Sequence, residues 1–138
     1  MFATAKLSSL QAFYAFTTVT IVSVAVEADD WVGAFNGDIC VGARQWDTSL
    51  CGNGVCDVPA QGDDGFSETV GYMQTGDIPI FKIYDASENI YYNAIPSEDV
   101  LQWANNGFSN TSNLIGVILG CTDINACNYN SAATEDDG

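Results

Sequence analysis

Acidic side chains crowd two stretches of this sequence, and carboxylates set among turn-forming residues are first of all candidate cation ligands. Around Gly62 and Gly65, the side chains of Asp63, Asp64 and Glu68 can supply three oxygens. Towards the C-terminus, Asp123, Asn125, Asn128, Asn130, Asp136 and Asp137 form a second set. Calcium takes roughly six to eight oxygen ligands from carboxylates, amides and backbone carbonyls, which loops rich in Asp, Asn and Gly present. Neither stretch has the full EF-hand spacing. The competing reading is solvated turns, where these residues are favoured for their backbone geometry alone. Calcium is the expected cofactor.

The five cysteines are the other chemistry-bearing group: Cys40, Cys51, Cys56, Cys121 and Cys127. An odd count leaves one unpaired or paired outside the chain. Cys51-Gly-Asn-Gly-Val-Cys56 is a short glycine-rich loop that a disulfide can staple. Zinc is the alternative, but there is no histidine and the spacing fits no common zinc pattern. An oxidising, extracellular or cell-surface setting is expected.

The absence of histidine also removes the commonest general base and the usual partner of a serine or cysteine nucleophile. A glycosidase-like carboxylate pair can be drawn from Asp29, Asp30, Asp38, Asp63, Asp64 and Glu68. With 18 acidic residues in the chain some pair will always look suggestive, so no catalytic site is expected. Aromatic residues offer a different chemistry. Trp46, Trp103, Tyr91 and Tyr92, with Trp31 and Tyr84, can form a carbohydrate-stacking platform on one sheet face, although such side chains more often pack the core.

The 18 acids stand against Lys6, Arg44 and Lys82, a net charge of −15. Nothing is available to neutralise phosphates, which excludes nucleic acid as a partner, and an anionic membrane surface is excluded likewise. Such a charge suits a salty medium that screens self-repulsion.

The elements that must position these groups read as strands. At 138 residues the chain is one domain, or one domain plus a fragment of the next, and an apolar content of 47% is enough for a core. Residues 1–28 look superficially like a signal peptide, but the apolar run is interrupted by Gln11, Thr17, Thr18, Thr20 and Ser23. It also lacks the uninterrupted apolar length of a membrane span, about 20 residues. Its composition predicts strands around 12–20 and 24–26, with 1–10 unassigned. Asn36-Gly37 between two apolar runs predicts a two-residue hairpin that pairs Ala34 with Ile39, Val32 with Val41 and Trp31 with Gly42. Residues 47–76 read as a long loop with a short hidden element near Tyr72 and Met73. Strands follow at 80–84 and 90–95. Ser97-Glu98-Asp99 predicts a short helix running to Trp103, and a last strand is expected at 114–119. Asn110-Thr111-Ser112 matches a glycosylation sequon and is taken as chance.

The hairpin Gly33-Ala34-Phe35 and 37–43, the loop Asp63-Asp64-Gly65 and the stretch 81–86 carry a further signal. Together they resemble a β-sandwich module of large secreted proteins from marine bacteria, of the type IX secretion-associated kind, over residues 11–119. The resemblance implies a non-catalytic surface, spacer or adhesion element. From Gly120 the sequence resembles an acidic cysteine repeat, distantly similar to thrombospondin type 3 repeats, which implies calcium. That repeat continues into Ser-Cys, whereas Gly138 is the last residue here. The resemblance thus implies a piece of a longer polypeptide and accounts for the odd cysteine.

The expected architecture is an all-β antiparallel sandwich of the immunoglobulin or jelly-roll kind, with at most one short helix. Residues 11–119 form the module and 120–138 an irregular acidic tail that begins a repeat. The expected function is that of an extracellular structural or adhesion module, calcium-stabilised, whose partners are other modules of the same polypeptide and surface glycans. Carbohydrate recognition through exposed Trp and Tyr is the alternative.

Overall fold

The structure is a computed structural model that describes residues 8–117. Among these the chain forms eight strands: β1 (Gln11–Ile21), β2 (Val24–Ala25), β3 (Trp31–Asn36), β4 (Ile39–Gln45), β5 (Cys56–Gln61), β6 (Ile80–Asp85), β7 (Ile90–Pro96) and β8 (Phe108–Val117). Three short 3₁₀ turns lie between β4 and β6, and the described residues contain no α-helix. The chain is all-β, as expected.

The finer expectation of antiparallel pairing needs a correction. All eight strands join one sheet in the order β2-β1-β8-β7-β6-β3-β4, with β5 also on β1, and β1 pairs with β8 in parallel. The cause is the length of β1. Its first half pairs with β5 and its end with β2, so the opposite edge is left for β8 along almost its whole run. The mixed sheet curls into a half-barrel until the end strands β4 and β5 meet.

That meeting depends on two residues. A β-carbon on Gly42 would lie 1.7 Å from the Pro59 carbonyl oxygen, so only glycine lets the strands pass this closely. Pro59 has no N–H to donate, which keeps β5 from extending a ladder towards β4. A side chain bridges the seam instead: Arg44 Nε donates to the Asp57 carbonyl oxygen, and Arg44 Nη2 lies 3.1 Å from Asp57 Oδ1.

Alternation along the strands fills the inside of the curl. Tyr14 and Phe16 of β1, Val32 and Ala34 of β3, Val58 of β5, Phe81 and Ile83 of β6 and Leu114 of β8 are all buried. Phe81 takes the edges of both Phe16 and Tyr14, at ring-centroid distances of 5.1 and 5.6 Å. Each such ring contributes about 2–3 kcal/mol through burial alone. The Tyr14 hydroxyl donates to the Leu101 carbonyl oxygen at 3.1 Å, and burial pushes its pKa up to about 12.

The central hairpin is present, with a different register. Its loop residues are Gly37 and Asp38; Asn36 pairs with Ile39, and Trp31 pairs with Gln45 rather than Gly42. Gly37 adopts a φ of +60° at the first loop position, where glycine carries no steric cost. Asn36 is fixed at the strand end by its amide nitrogen, which donates to the carbonyls of Gly71 and Tyr72 at 3.0 and 3.2 Å. A bulge at Val41 then shifts the rest of the ladder. Val41 itself is buried together with Val32 and Ala34.

The predicted helix over 97–103 is absent. Ser97 Oγ accepts from Asn113 N at 3.1 Å, and Glu98 Oε1 accepts from Ser112 N at 3.1 Å. The side chains suited to capping a helix hold the start of an extended segment against β8 instead. Residues 47–76, read as loop, contain β5, whose Cys56, Val58 and Ala60 alternate inward. Tyr72 and Met73 are buried, and Met73 forms a bridge to Gly62, so the hidden element is real but minimal.

Candidate functional site

The loop from Gly62 to Gly76 holds the first expected cation set, and its acids face backbone amides. Asp63 Oδ1 accepts from Gly65 N at 2.9 Å. Asp64 Oδ1 accepts from the Thr69 hydroxyl at 2.7 Å and from Phe66 N at 3.2 Å, while Oδ2 accepts from Ser9 N at 3.3 Å. The Thr69 hydroxyl, above all, holds the Asp64 carboxyl below its ordinary pKa, with the Phe66 and Ser9 amides adding to the effect. Glu68 sits in the first turn of a 3₁₀ segment and is exposed. Among the described residues no group of three acids or cysteines is close enough to hold a metal ion. Asp123, Asn125, Asn128, Asn130, Asp136 and Asp137 lie outside the described residues, as do Cys121 and Cys127.

Asp30, one of the acids proposed for a hydrolase pair, and Asp77, which lies outside that set, each hold a backbone segment. Asp30 is buried, and its carboxylate accepts from Glu27 N at 2.8 Å and Ala86 N at 3.0 Å, joining the turn before β3 to the β6–β7 turn. Asp77 Oδ2 accepts from Gln74 N at 2.9 Å.

The expected aromatic platform needs correcting in three of its members, Trp46, Trp103 and Tyr92. Trp46 and Trp103 are only 3% and 2% exposed. Trp46 packs near Phe16 in the core, and Trp103 Nε1 donates to the Ala60 carbonyl oxygen at 2.9 Å. Both rings are large apolar bodies that the half-barrel needs as filling, so neither can stack a ligand. Tyr91 is exposed on the outer face, whereas Tyr92 pairs with Ile83 and packs against the core from the opposite face. Burial raises the pKa of both phenols. On the outer face Trp31, Tyr84 and Tyr91 stand in register across β3, β6 and β7, with the two tyrosine rings 4.8 Å apart.

Cys51 and Cys56 form a disulfide with a Cα–Cα distance of 5.1 Å, closing the glycine-rich loop as expected. Cys40 is a half-buried free thiol 3.5 Å from the Gly42 carbonyl, its pKa raised by burial. No helix among the described residues is long and apolar enough to cross a membrane.

One cleft, which sequence reading did not assemble, lies along the edge of β4 where the chain leaves for the disulfide loop. Its volume is about 350 Å³, and Trp31, Ala43, Arg44, Gln45, Asp47 and Leu50 line it. Direct pairing puts Trp31 and Gln45 on one face, with Ala43 two positions before Gln45 on the same face. Asp47 Oδ1 is held by Ser49 N at 3.1 Å, and Gln45 Nε2 donates to the Ala28 carbonyl at 3.0 Å. Only the correct hairpin register brings Trp31 and Gln45 together, which is why the motif alone did not point here.

No family model, curated protein or solved structure matches the chain.

Proposed function

We propose that this chain is a non-catalytic structural module of a larger extracellular or surface-anchored protein. The observation that carries this reading is the use made of its acids. Asp30, Asp64 and Asp77 each brace a backbone segment through carboxylate-to-amide hydrogen bonds rather than converging on a shared ligand. Such bonds lower the flexibility of loops and suit a spacer more than an active centre, where a carboxyl is held with a raised pKa in a cleft. The Cys51–Cys56 disulfide supports an oxidising compartment. The motif resemblance supports a secreted, repeat-flanked context, in which the calcium ligands belong to residues 120–138.

Three measurements test this reading. Alkylation and mass spectrometry of the chain from its native source should find Cys51 and Cys56 oxidised; a reduced pair would overturn the extracellular placement. Purified chain should turn over no glycoside, ester or peptide substrate, and sustained turnover would overturn the non-catalytic reading. Melting curves in millimolar calcium and in chelator test the cation: a higher midpoint with calcium supports it, and identical curves remove it.

A further inference from the structure

We infer that the cleft beside Trp31 binds a neutral saccharide unit, a site separate from the acidic loops. A volume of about 350 Å³ lies within the usual range of small-molecule sites. The side chain of Trp31 forms one wall, and Ala43 on the same face contributes only a methyl group. The space beside the indole fits the flat apolar face of a pyranose ring, which stacks on aromatic surface.

The polar lining suits hydroxyl groups. Gln45 has its Nε2 engaged with Ala28, which leaves Oε1 as an acceptor. Asp47 has Oδ1 engaged with Ser49, which leaves Oδ2. Arg44 uses Nε and Nη2 on Asp57, which leaves Nη1 as a donor. A sugar hydroxyl both donates and accepts, so it can satisfy all three. Because each side chain is already tethered by a second partner, little rotamer entropy remains to be lost on binding.

Charge selects a neutral ligand. The Arg44 guanidinium is matched by Asp57 at 3.1 Å, so the cleft carries the remaining charge of Asp47 inside a chain of net −15. That field repels uronic or sulfated sugars.

The test is a glycan array of neutral and acidic oligosaccharides probed with the whole chain, followed by titration calorimetry on the neutral hits. Trp31→Ala and the cleft-filling Ala43→Leu should each weaken binding by about 10-fold or more, the loss expected for an aromatic stacking contact. Trp31→Tyr should retain most of the affinity. Circular dichroism checks each variant, and fluorescence gives a second readout that does not depend on Trp31→Ala folding. With Trp46 and Trp103 buried, saccharide should shift the emission of the wild type and leave that of Trp31→Tyr unmoved. No bound neutral glycan, binding of acidic glycans only, or affinity unchanged in Trp31→Ala and Ala43→Leu would each overturn the proposal.

Discussion

Gly42 of β4 and Pro59 of β5 close the half-barrel by contact, with a space between them that not even a methyl group can enter. A β-carbon at Gly42 would also lie 2.7 Å from the Pro59 carbonyl carbon. The obstacle is backbone, which cannot swing aside as a side chain can. Gly42→Ala should therefore destabilise the fold by about 3 kcal/mol, the upper end for overpacking, read as a lower urea midpoint at unchanged slope.

Asp30 is 3% exposed and satisfies two amides from distant parts of the chain. Asp30→Ala orphans both, at a cost of roughly 2–4 kcal/mol. Asp30→Asn keeps one acceptor and should cost about half as much. Hydrogen exchange at the Glu27 and Ala86 amides should quicken in both variants, more in the alanine form.

The disulfide closes a loop between positions only five apart in sequence. In the chain-entropy account a loop this short stabilises by about 2 kcal/mol. Replacing both cysteines with alanine should lower stability by that amount, read as a lower melting midpoint than that of the oxidised wild type. Cys56 is buried at the start of β5, so the first amides to lose protection should be those of β5.

Acid should weaken the two carboxylates held below their ordinary pKa. Asp64 is held there chiefly by the Thr69 hydroxyl, and Glu98 chiefly by the Ser112 hydroxyl. With the folded pKa depressed, the unfolded chain binds more protons in acid. The contribution is then fully present above the unfolded values, about 4, and is lost as pH falls through the folded ones. The stability difference between wild type and Asp64→Asn or Glu98→Gln should be present at neutral pH and vanish on acidification. Moderate salt screens the relief of net negative charge that each substitution brings.

Much of the strand content was legible, because the β-prone composition of 12–20, the Asn36-Gly37 turn between apolar runs in 31–45 and the strand-like runs at 80–84 and 90–95 report the sheet directly. What stayed hidden has local causes. Proline is rare inside sheets, yet β5 carries Pro59, which an end strand that extends no ladder towards β4 tolerates. The first half of β8 was masked by buried hydroxyls, Ser109 and Thr111, standing where apolar residues are expected. Ser97 and Glu98 carried helix-capping chemistry and used it on a neighbouring strand. The hairpin was legible as a hairpin, but a bulge at Val41 leaves no signature in composition, and with it went the pairing of Trp31 and Gln45 that forms the cleft.

The parallel pairing of β1 with β8 has a mechanical meaning. Its register runs from Phe13 with Phe108 to Ile21 with Gly116, both strands pointing the same way. A pull that enters the chain ahead of β1 and leaves it beyond β8 draws the two strands along their length in opposite directions. Their hydrogen bonds then carry the tension together, in shear, rather than opening one after another like a zip. Stretched from its ends, a fold wired this way is loaded across the whole β1–β8 ladder at once.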